Sequence, residues 1–412
     1  MSVPSSAARA TAATPVLRGV RPAAVVQASV VGVALGVYLL VLRAAVFHQQ
    51  DLDAYLAGAR QIWSGAPLYA TFLSHPFPDP TLRPAYIYPP VFAIVTAPLA
   101  LLPRGIGGVA WLVITQVSLL AAMLVAVRWL RPGRWALTVA LLATFTFYPL
   151  WIDVTQGQAN LPLMLLVVVG LAGVARGQPR FAFAFGLAAA LKLTPLLLLV
   201  WLLADRRLRA AAWMIAGFAA AGAAGALLRF DDTIVFIRQV LPALAAGTTY
   251  YANQSTVGFI ARISSANPYT QPWIVLPWAG ALTAALGVVF VALWFGRGRG
   301  QSPGHRSVAF LPLLPLLSSV TWPHHLVILL PVVWLAITAL DRNGWAPLQS
   351  LALGAILALI SLLPRWPAGP AFAQPGFRLA QTMDPTVFLI ANAFFFGTLI
   401  LFLLAPWLLR SR

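Results

Sequence analysis

Long apolar runs separated by short polar segments make up most of the chain after residue 25. The runs lie near 25–47, 107–127, 135–151, 159–175, 209–228, 273–296, 307–322, 325–340, 345–363 and 386–409. A helix needs about 20 apolar residues to cross the hydrocarbon core of a bilayer. A membrane barrel would instead show alternating segments of about ten residues. The pattern therefore predicts an all-α polytopic membrane protein with about ten to twelve transmembrane or re-entrant helices.

Two further apolar segments do not fit a simple crossing. The segment 89–102 is too short to span and is bracketed by prolines, which is typical of a re-entrant or interfacial helix. The segment 181–204 is interrupted by Lys192 and Pro195. If 181–204 crossed the membrane completely, the arginines that follow it would face the opposite side from the other arginine-rich segments. We therefore expect 181–204 to turn back near Lys192.

Composition excludes several classes of protein. Of 412 residues, 60% are hydrophobic and only 9% are charged, whereas soluble domains carry about a quarter charged residues. A soluble globular enzyme is therefore excluded. The chain has no cysteine, which excludes disulfides, thiolate chemistry and cysteine-based metal sites. The net charge of +18 comes from arginines in short segments between apolar runs, which is typical of cytoplasmic loops rather than of nucleic-acid binding.

This arrangement predicts both domain organisation and orientation. Residues 1–22 are expected to form a disordered cytoplasmic tail and 23–412 a single transmembrane domain. We expect the chain to span the plasma membrane. By the positive-inside rule, its arginine-rich segments then face the cytoplasm. The longer polar loops, 48–88, 229–272 and 364–385, then lie outside. Any chemistry is expected at the outer face, where no nucleotide pool exists.

The scarcity of acidic residues makes each of them a candidate for function. All nine are Asp. If a helix begins at Asp51, then Asp51 and Tyr55 share a face and Asp53 points away from it. A carboxyl group in apolar surroundings has a raised pKa, which suits a general base. The alternative is that both acids complement the helix dipole, and we favour this alternative for Asp53.

Other polar residues interrupt apolar surroundings. His324 and His325 could bind phosphate or assist proton transfer, or could form an ordinary interfacial pair. Lys192 could pair with a carboxylate, bind an anion or snorkel to the interface. Gln158 and Asn160 could contact a sugar or join neighbouring helices.

A third polar cluster lies in the predicted outer loop 229–272. Asn253 and Gln254 offer amides for sugar hydroxyls, and Arg262 offers a planar fork for phosphate oxygens. The alternative is a helix start capped by Ser255, with Arg262 as an ordinary surface charge.

Taken together, these segments resemble the membrane glycosyltransferases of family 87, the polyprenyl-phosphate-mannose-dependent mannosyltransferases. The matching pieces are DLDAY (51–55), YPPVF (88–92), GQAN (157–160), KLTP (192–195), NQSTVG (253–258) with Arg262, and WPHH (322–325). Each piece is weak alone, but all six occur in the family's order.

The resemblance implies a GT-C fold and an inverting transfer of a hexose, most simply mannose, from a lipid-linked donor to a glycan or glycolipid acceptor. It implies that Asp51 is the catalytic base and that the donor phosphate is bound by candidates from His324, His325, Arg262 and Lys192. It implies no metal and no cofactor. Further candidate substrate-binding residues are Asp53, Tyr55, Tyr88, Gln158, Asn160, Asn253 and Gln254.

Three alternatives remain at this stage. A donor carrying arabinofuranose would suit the same class of enzyme. A transporter or lipid flippase should show inverted sequence repeats and ionisable residues near the bilayer midplane. Here the polar residues concentrate in one leaflet. A scaffold for a cell-envelope complex predicts that Asp51→Asn has no effect on activity.

Overall fold

The computed structural model describes residues 22–74, 85–297, 302–365 and 383–410, and every regular element in these ranges is helical. The first half contains α1 (Pro22–His48), α2 (Gln50–Ser64), α3 (Ala70–Ser74), α4 (Pro90–Thr96), α5 (Arg104–Leu130), α6 (Arg134–Phe145), α7 (Tyr148–Gln156), α8 (Asn160–Ala175), α9 (Phe183–Leu191), α10 (Leu198–Ala204) and α11 (Leu208–Leu228). The second half contains α12 (Phe230–Val235), α13 (Leu241–Ala245), α14 (Thr256–Ser264), α15 (Ala279–Arg297), α16 (Pro303–Val308), α17 (Leu313–Leu317), α18 (Leu330–Arg342), α19 (Pro347–Leu357), α20 (Pro385–Ala391) and α21 (Ala393–Leu408). Short 3₁₀ or π segments join several of them: Ala97–Leu101, Pro179–Ala182, Thr194–Leu197, Phe236–Val240, Pro323–Leu329, Ala358–Leu362 and Leu363–Arg365.

Five helical units are long and apolar enough to cross a membrane: α1, α5, α11, α15 and the continuous stretch Pro323–Arg342. The number rises to seven if two bent pairs count as single spans. These pairs are α6 with α7, bent by 47°, and α20 with α21, bent by 66°. The described residues also contain shorter apolar helices, among them α8, which packs against α5. The predicted all-helical, multi-pass membrane fold is confirmed.

The arginine-rich segments meet at one end of the helical bundle. Arg176 donates a hydrogen bond to the carbonyl of Arg128 at 3.0 Å, and Arg342 donates to the carbonyl of Leu130 at 2.6 Å. Helix C-termini expose unpaired carbonyls and attract cations, which explains these contacts. We call this region the arginine end; its members are Arg128, Arg176, Arg207, Arg306 and Arg342.

The segment 181–204 forms a helical hairpin. The rings of Phe185 in α9 and Trp201 in α10 lie 6.1 Å apart. Arg207, just after α10, donates to the carbonyl of Val174 at the end of α8 at 3.3 Å. The chain therefore leaves the arginine end and returns to it, as expected, with Lys192 at the tip of the hairpin.

Two predicted polar loops are largely helical. The segment 48–88 contains α2, whose buried face includes Leu52 and Tyr55 and packs in an aromatic cluster with Phe92 and Trp111. The segment 229–272 contains α12, α13 and α14. Most of the third loop, 364–385, and all of the predicted tail 1–22 except Pro22 lie outside the described residues.

The single spanning helix predicted near 307–322 was wrong. The helix α16 ends at Val308, and α17 covers only Leu313–Leu317. Pro312 and Pro315 lack a backbone N–H and clash with a continuing helix. The side chains from 307 to 316 are buried inside the protein, so apolarity here reflects the core rather than contact with lipid.

Candidate active site

A cavity of about 1500 Å³ lies at the end of the bundle opposite the arginine end. Both α8, which starts at Asn160, and the stretch Pro323–Arg342 run from this region to the arginine end. We call this opposite region of the bundle the cavity end. Eight of the predicted site residues line the cavity, and they are Asp51, Tyr55, Tyr88, Gln158, Lys192, Gln254, His324 and His325. Asp51 and the histidine pair thus border one cavity, as expected.

Asp51 is held by Gln158. The Gln158 side-chain nitrogen donates to an Asp51 carboxylate oxygen. The Gln158 side-chain oxygen accepts hydrogen bonds from the hydroxyls of Tyr55 at 2.8 Å and Tyr88 at 3.3 Å. These two phenols fix the orientation of the amide, so its nitrogen must face Asp51. Burial raises the pKa of the Asp51 carboxyl to about 6, against the opposing effects of the Gln158 hydrogen bond and the Lys192 charge.

Gly157 allows Gln158 to approach Asp51. It has a φ of +72°, which favours glycine. A Cβ at this position would lie 2.9 Å from the Gln49 Cβ and 3.0 Å from the Leu52 Cβ. The turn between α7 and α8 can therefore pack directly against the start of α2.

Lys192 sits at a break in the hairpin. It is extended, with φ −152° and ψ 119°, between α9 and the 3₁₀ turn that contains Pro195. Its Nζ donates to the Asn160 Oδ1 at 2.8 Å and lies 5.9 Å from the centre of the Tyr88 ring. Asn160 does not line the cavity, and its contact with Lys192 places the ammonium group at the cavity wall.

The two histidines have different surroundings. The His325 Nδ1 accepts a hydrogen bond from the Trp322 backbone N–H at 3.3 Å, which ties this ring to its own turn. His324 is 4% exposed, and neither of its ring nitrogens has a hydrogen-bond partner within the described ranges. The two ring centres are 4.7 Å apart. Since buried polar groups are normally paired, His324 is the ring that is available to a ligand.

Four predicted site residues lie outside the cavity lining: Asp53, Asn160, Asn253 and Arg262. Asp53 forms an ion pair with Arg104 at 2.5 Å. Asn253 donates to the carbonyls of Thr248 and Ser319 at 2.8 and 3.0 Å. Their contacts are those of residues that hold the surrounding structure.

Arg262 is 1% exposed. Its guanidinium donates to the carbonyl of Asn253 at 2.6 Å and to the Asn392 side chain at 2.7 Å. The interpretation of Arg262 as a surface charge was therefore wrong, whereas the Ser255 cap of α14 is present, with its side chain accepting from the Gly258 N–H. Gln254 lines the cavity, but its amide also bonds Ala391 and Phe395.

Asp153 is a polar residue of this region to which sequence reasoning assigned no role. It is fully buried, and its Oδ1 accepts a hydrogen bond from the Asn160 side chain at 2.8 Å. The available signal was an acid inside an apolar run, one turn before a cluster of amides. Across the described ranges, no group of three or more His or Asp residues is placed to hold a metal ion.

The fold and the cavity define a polytopic membrane protein in which a buried acid, a lysine and a histidine border one cavity. The sequence model of glycosyltransferase family 87 matches residues 86–321, which is more than half of the chain. The protein belongs to glycosyltransferase family 87, and it is a membrane glycosyltransferase. Asp51 lies well before the matched residues, and His324 and His325 lie just after them.

Similar proteins agree with this membership. A polyprenol-phosphate-mannose-dependent α-(1-2)-phosphatidylinositol pentamannoside mannosyltransferase of Mycobacterium tuberculosis (strain CDC 1551 / Oshkosh) is 29% identical over 346 residues, which cover 81% of this chain and 76% of the relative. A phosphatidylinositol mannoside mannosyltransferase of strain ATCC 25618 / H37Rv, with the same donor in its name, is 29% identical over 81% of this chain and 80% of its own length. The crystal structure of ArnT from Cupriavidus metallidurans bound to undecaprenyl phosphate aligns with a TM-score of 0.44 and 16% identity, over 92% of this chain and 78% of ArnT.

Proposed function

We propose that the protein transfers mannose from polyprenyl-phosphate-mannose to a glycan or glycolipid acceptor at the outer face of the cytoplasmic membrane, with inversion at the anomeric carbon. The observation that carries the proposal is the single cavity bordered by Asp51, Lys192 and His324. Asp51 provides a base for the acceptor hydroxyl, and Lys192 and His324 provide cationic or hydrogen-bonding groups for the donor phosphate. The names of the mycobacterial relatives support mannose as the transferred sugar and a phosphatidylinositol mannoside as the kind of acceptor.

Asp51 has the surroundings of a general base. Its ionised carboxylate takes the proton from an acceptor hydroxyl, and that oxygen attacks the anomeric carbon of the donor. The bond from this carbon to the phosphate oxygen breaks, and polyprenyl phosphate leaves with the electron pair. A single displacement of this kind inverts the anomeric carbon. The pKa of about 6 keeps the carboxylate ionised at neutral pH and closer to a hydroxyl in basicity than an exposed Asp.

Lys192 and His324 are placed to stabilise the charge of the leaving phosphate. An ammonium group has three N–H donors, and only one Lys192 donor is used within the described part of the chain. Preorganised donors in a cavity with few water molecules stabilise developing negative charge strongly. Arg262 is not included in this set, because its guanidinium contacts loop carbonyls and Asn392 outside the cavity.

The arginine end supports the proposed orientation. Positively charged segments of a membrane protein face the cytoplasm, and the cavity lies at the opposite end of α8 and of the stretch Pro323–Arg342. The cavity would then open to the outer leaflet, where lipid-linked sugars are the available donors.

The test is a transfer assay with purified protein in lipid nanodiscs. Radiolabelled polyprenyl-phosphate-mannose is supplied with envelope glycolipids, and the products are separated and analysed for label and anomeric configuration. We expect an α-mannosylated lipid product that Asp51→Asn protein forms roughly 300-fold more slowly or slower still. Equal labelling by the Asp51→Asn variant would contradict the proposed base. Transfer from a polyprenyl-phosphate-arabinofuranose donor alone would contradict mannose while leaving the class of reaction intact.

A further inference from the structure

We propose that Asp153, which lies behind the cavity wall, is a positioning residue that orients Lys192 through Asn160 for a lipid phosphate. The inference rests on the proposed function, in which Lys192 contacts the donor phosphate. Asp153 does not line the cavity, so it acts on a ligand only through other residues.

A continuous chain of hydrogen bonds joins the three side chains. The Lys192 Nζ donates to the Asn160 Oδ1 at 2.8 Å, and the Asn160 Nδ2 donates to the Asp153 Oδ1 at 2.8 Å. The same Nδ2 lies 3.4 Å from the His324 carbonyl oxygen. Asn160 therefore links the acid both to the lysine and to the backbone of the histidine that faces the cavity.

Charge fixes the direction of the Asn160 amide. Its oxygen faces the ammonium group and its nitrogen faces the carboxylate. A flipped amide would place its NH₂ group against the ammonium and its oxygen against the carboxylate, and both contacts would be repulsive. Without Asp153 this restraint on the amide is lost, and Asn160 no longer holds the Lys192 ammonium group in one position.

Asp153 is buried where a carboxyl group is costly to keep. The side chain is 0% exposed, and its Oδ2 has no hydrogen-bond partner among the described residues. A buried carboxylate is retained at a cost in free energy unless a cation compensates it. Lys192 is the cation to which the hydrogen-bond chain connects it. The acid therefore holds a buried ammonium group in place while leaving two of its N–H donors for a ligand.

The experiment measures binding of undecaprenyl phosphate to the full-length protein in nanodiscs, with undecaprenol as the uncharged control ligand. We expect Asp153→Asn to raise the Kd for the phosphate about tenfold or more and to leave the Kd for undecaprenol within twofold. Lys192→Met should raise the Kd for the phosphate at least as much. In the Lys192→Met background, Asp153→Asn should add less than twofold, because the two residues act as one unit.

The matched control is Asp205→Asn. Asp205 is a mostly buried acid of the arginine end and is paired with Arg306 at 2.9 Å. We expect this variant to lose thermal stability and to keep its affinity for undecaprenyl phosphate. If Asp153→Asn protein does not fold, Asn160→Ala cuts the same chain at its central residue and should produce the same selective loss.

Each outcome decides between the two proposals. An unchanged Kd for the phosphate in Asp153→Asn or Asn160→Ala protein would overturn the inference, as would an equal effect of Asp153→Asn with and without Lys192. Wild-type protein that does not bind the lipid phosphate would overturn it too. Wild-type protein that binds the phosphate with the expected coupling but transfers no sugar would refute the proposed function and leave the inference standing.

Discussion

The arginine end and the cavity end use their charged groups in different ways. At the arginine end, Arg176 and Arg342 bond to backbone carbonyls at helix C-termini, and Arg306 pairs with Asp205. At the cavity end, the charged groups are few and buried, and the His324 ring has no partner in the described part of the protein. Arg176 and Arg342 are thus paired with carbonyls of their own end, whereas the Arg306 Nε and Nη2 have no aligned hydrogen bond among the described residues and the side chain is held by its ion pair. In the proposed function, the unpaired His324 ring is the one left for a substrate, at a cost in stability.

The largest expected effect separates two acids of the same helix. Asp51→Asn should reduce turnover by roughly 300-fold or more, because an amide cannot accept the proton from an acceptor hydroxyl. The matched control is Asp53→Asn. Asp53 pairs with Arg104 outside the cavity, and turnover should fall by less than about tenfold. Steady-state transfer assays check both values, and equal losses in the two variants would contradict the assignment of the base.

The histidine pair gives the next contrast. His324→Gln should raise the KM for the sugar donor about tenfold, the loss expected for one hydrogen bond to a charged group. His325→Gln should affect KM less and lower the melting temperature instead, since the His325 Nδ1 accepts the Trp322 N–H. Donor titrations and thermal unfolding measure the two effects. A larger KM change in His325→Gln would reverse the roles of the two rings.

Activity should depend on pH through Asp51. With a pKa of about 6, the carboxylate is about nine-tenths ionised at pH 7 and about one-tenth ionised at pH 5. Because only the ionised form is a base, kcat/KM should fall about tenfold from pH 7 to pH 5. A pH series of initial rates tests this expectation. The acidic limb should be missing from the residual activity of Asp51→Asn protein.

The smallest effects should have opposite signs at the two ends. Above pH 6 the folded protein holds Asp51 ionised although burial disfavours that form, so Asp51→Asn should raise the melting temperature by about 2 °C at pH 7.5. The gain should shrink as the pH falls below 6, where the wild-type carboxyl binds a proton in the folded state. Asp205→Asn should lower the melting temperature, since it leaves the Arg306 guanidinium without its partner. A loss of stability in both variants would contradict the comparison.

The broad architecture was predictable because membrane insertion depends on local composition. The long apolar runs indicated the spans, and the arginines after α10 indicated that 181–204 turns back, which the Arg207 contact with Val174 bears out. The failure near 307–322 has a physical cause. An apolar run has the same composition whether it faces lipid or the protein core, and only its prolines indicated the break.

The candidate site was predictable as a set of residues but not as a set of contacts. Asp51, Lys192 and His324 stood out because ionisable groups are scarce in this chain. The sequence shows that Arg262 and Asn253 are polar, but it does not show that their partners are loop carbonyls. Asp153 was assigned no role because the sequence does not show its hydrogen bond to Asn160.

The hairpin of α9 and α10 also determines how far a substrate must travel. Lys192 at its tip contacts Asn160, the first residue of α8, and the 16 residues of α8 rise about 24 Å along the helix axis. That distance is most of a hydrocarbon layer of about 30 Å. If the arginine end faces the cytoplasm, a lipid phosphate bound by Lys192 would lie close to its usual depth in the opposite leaflet, with its isoprenoid chain among the acyl tails.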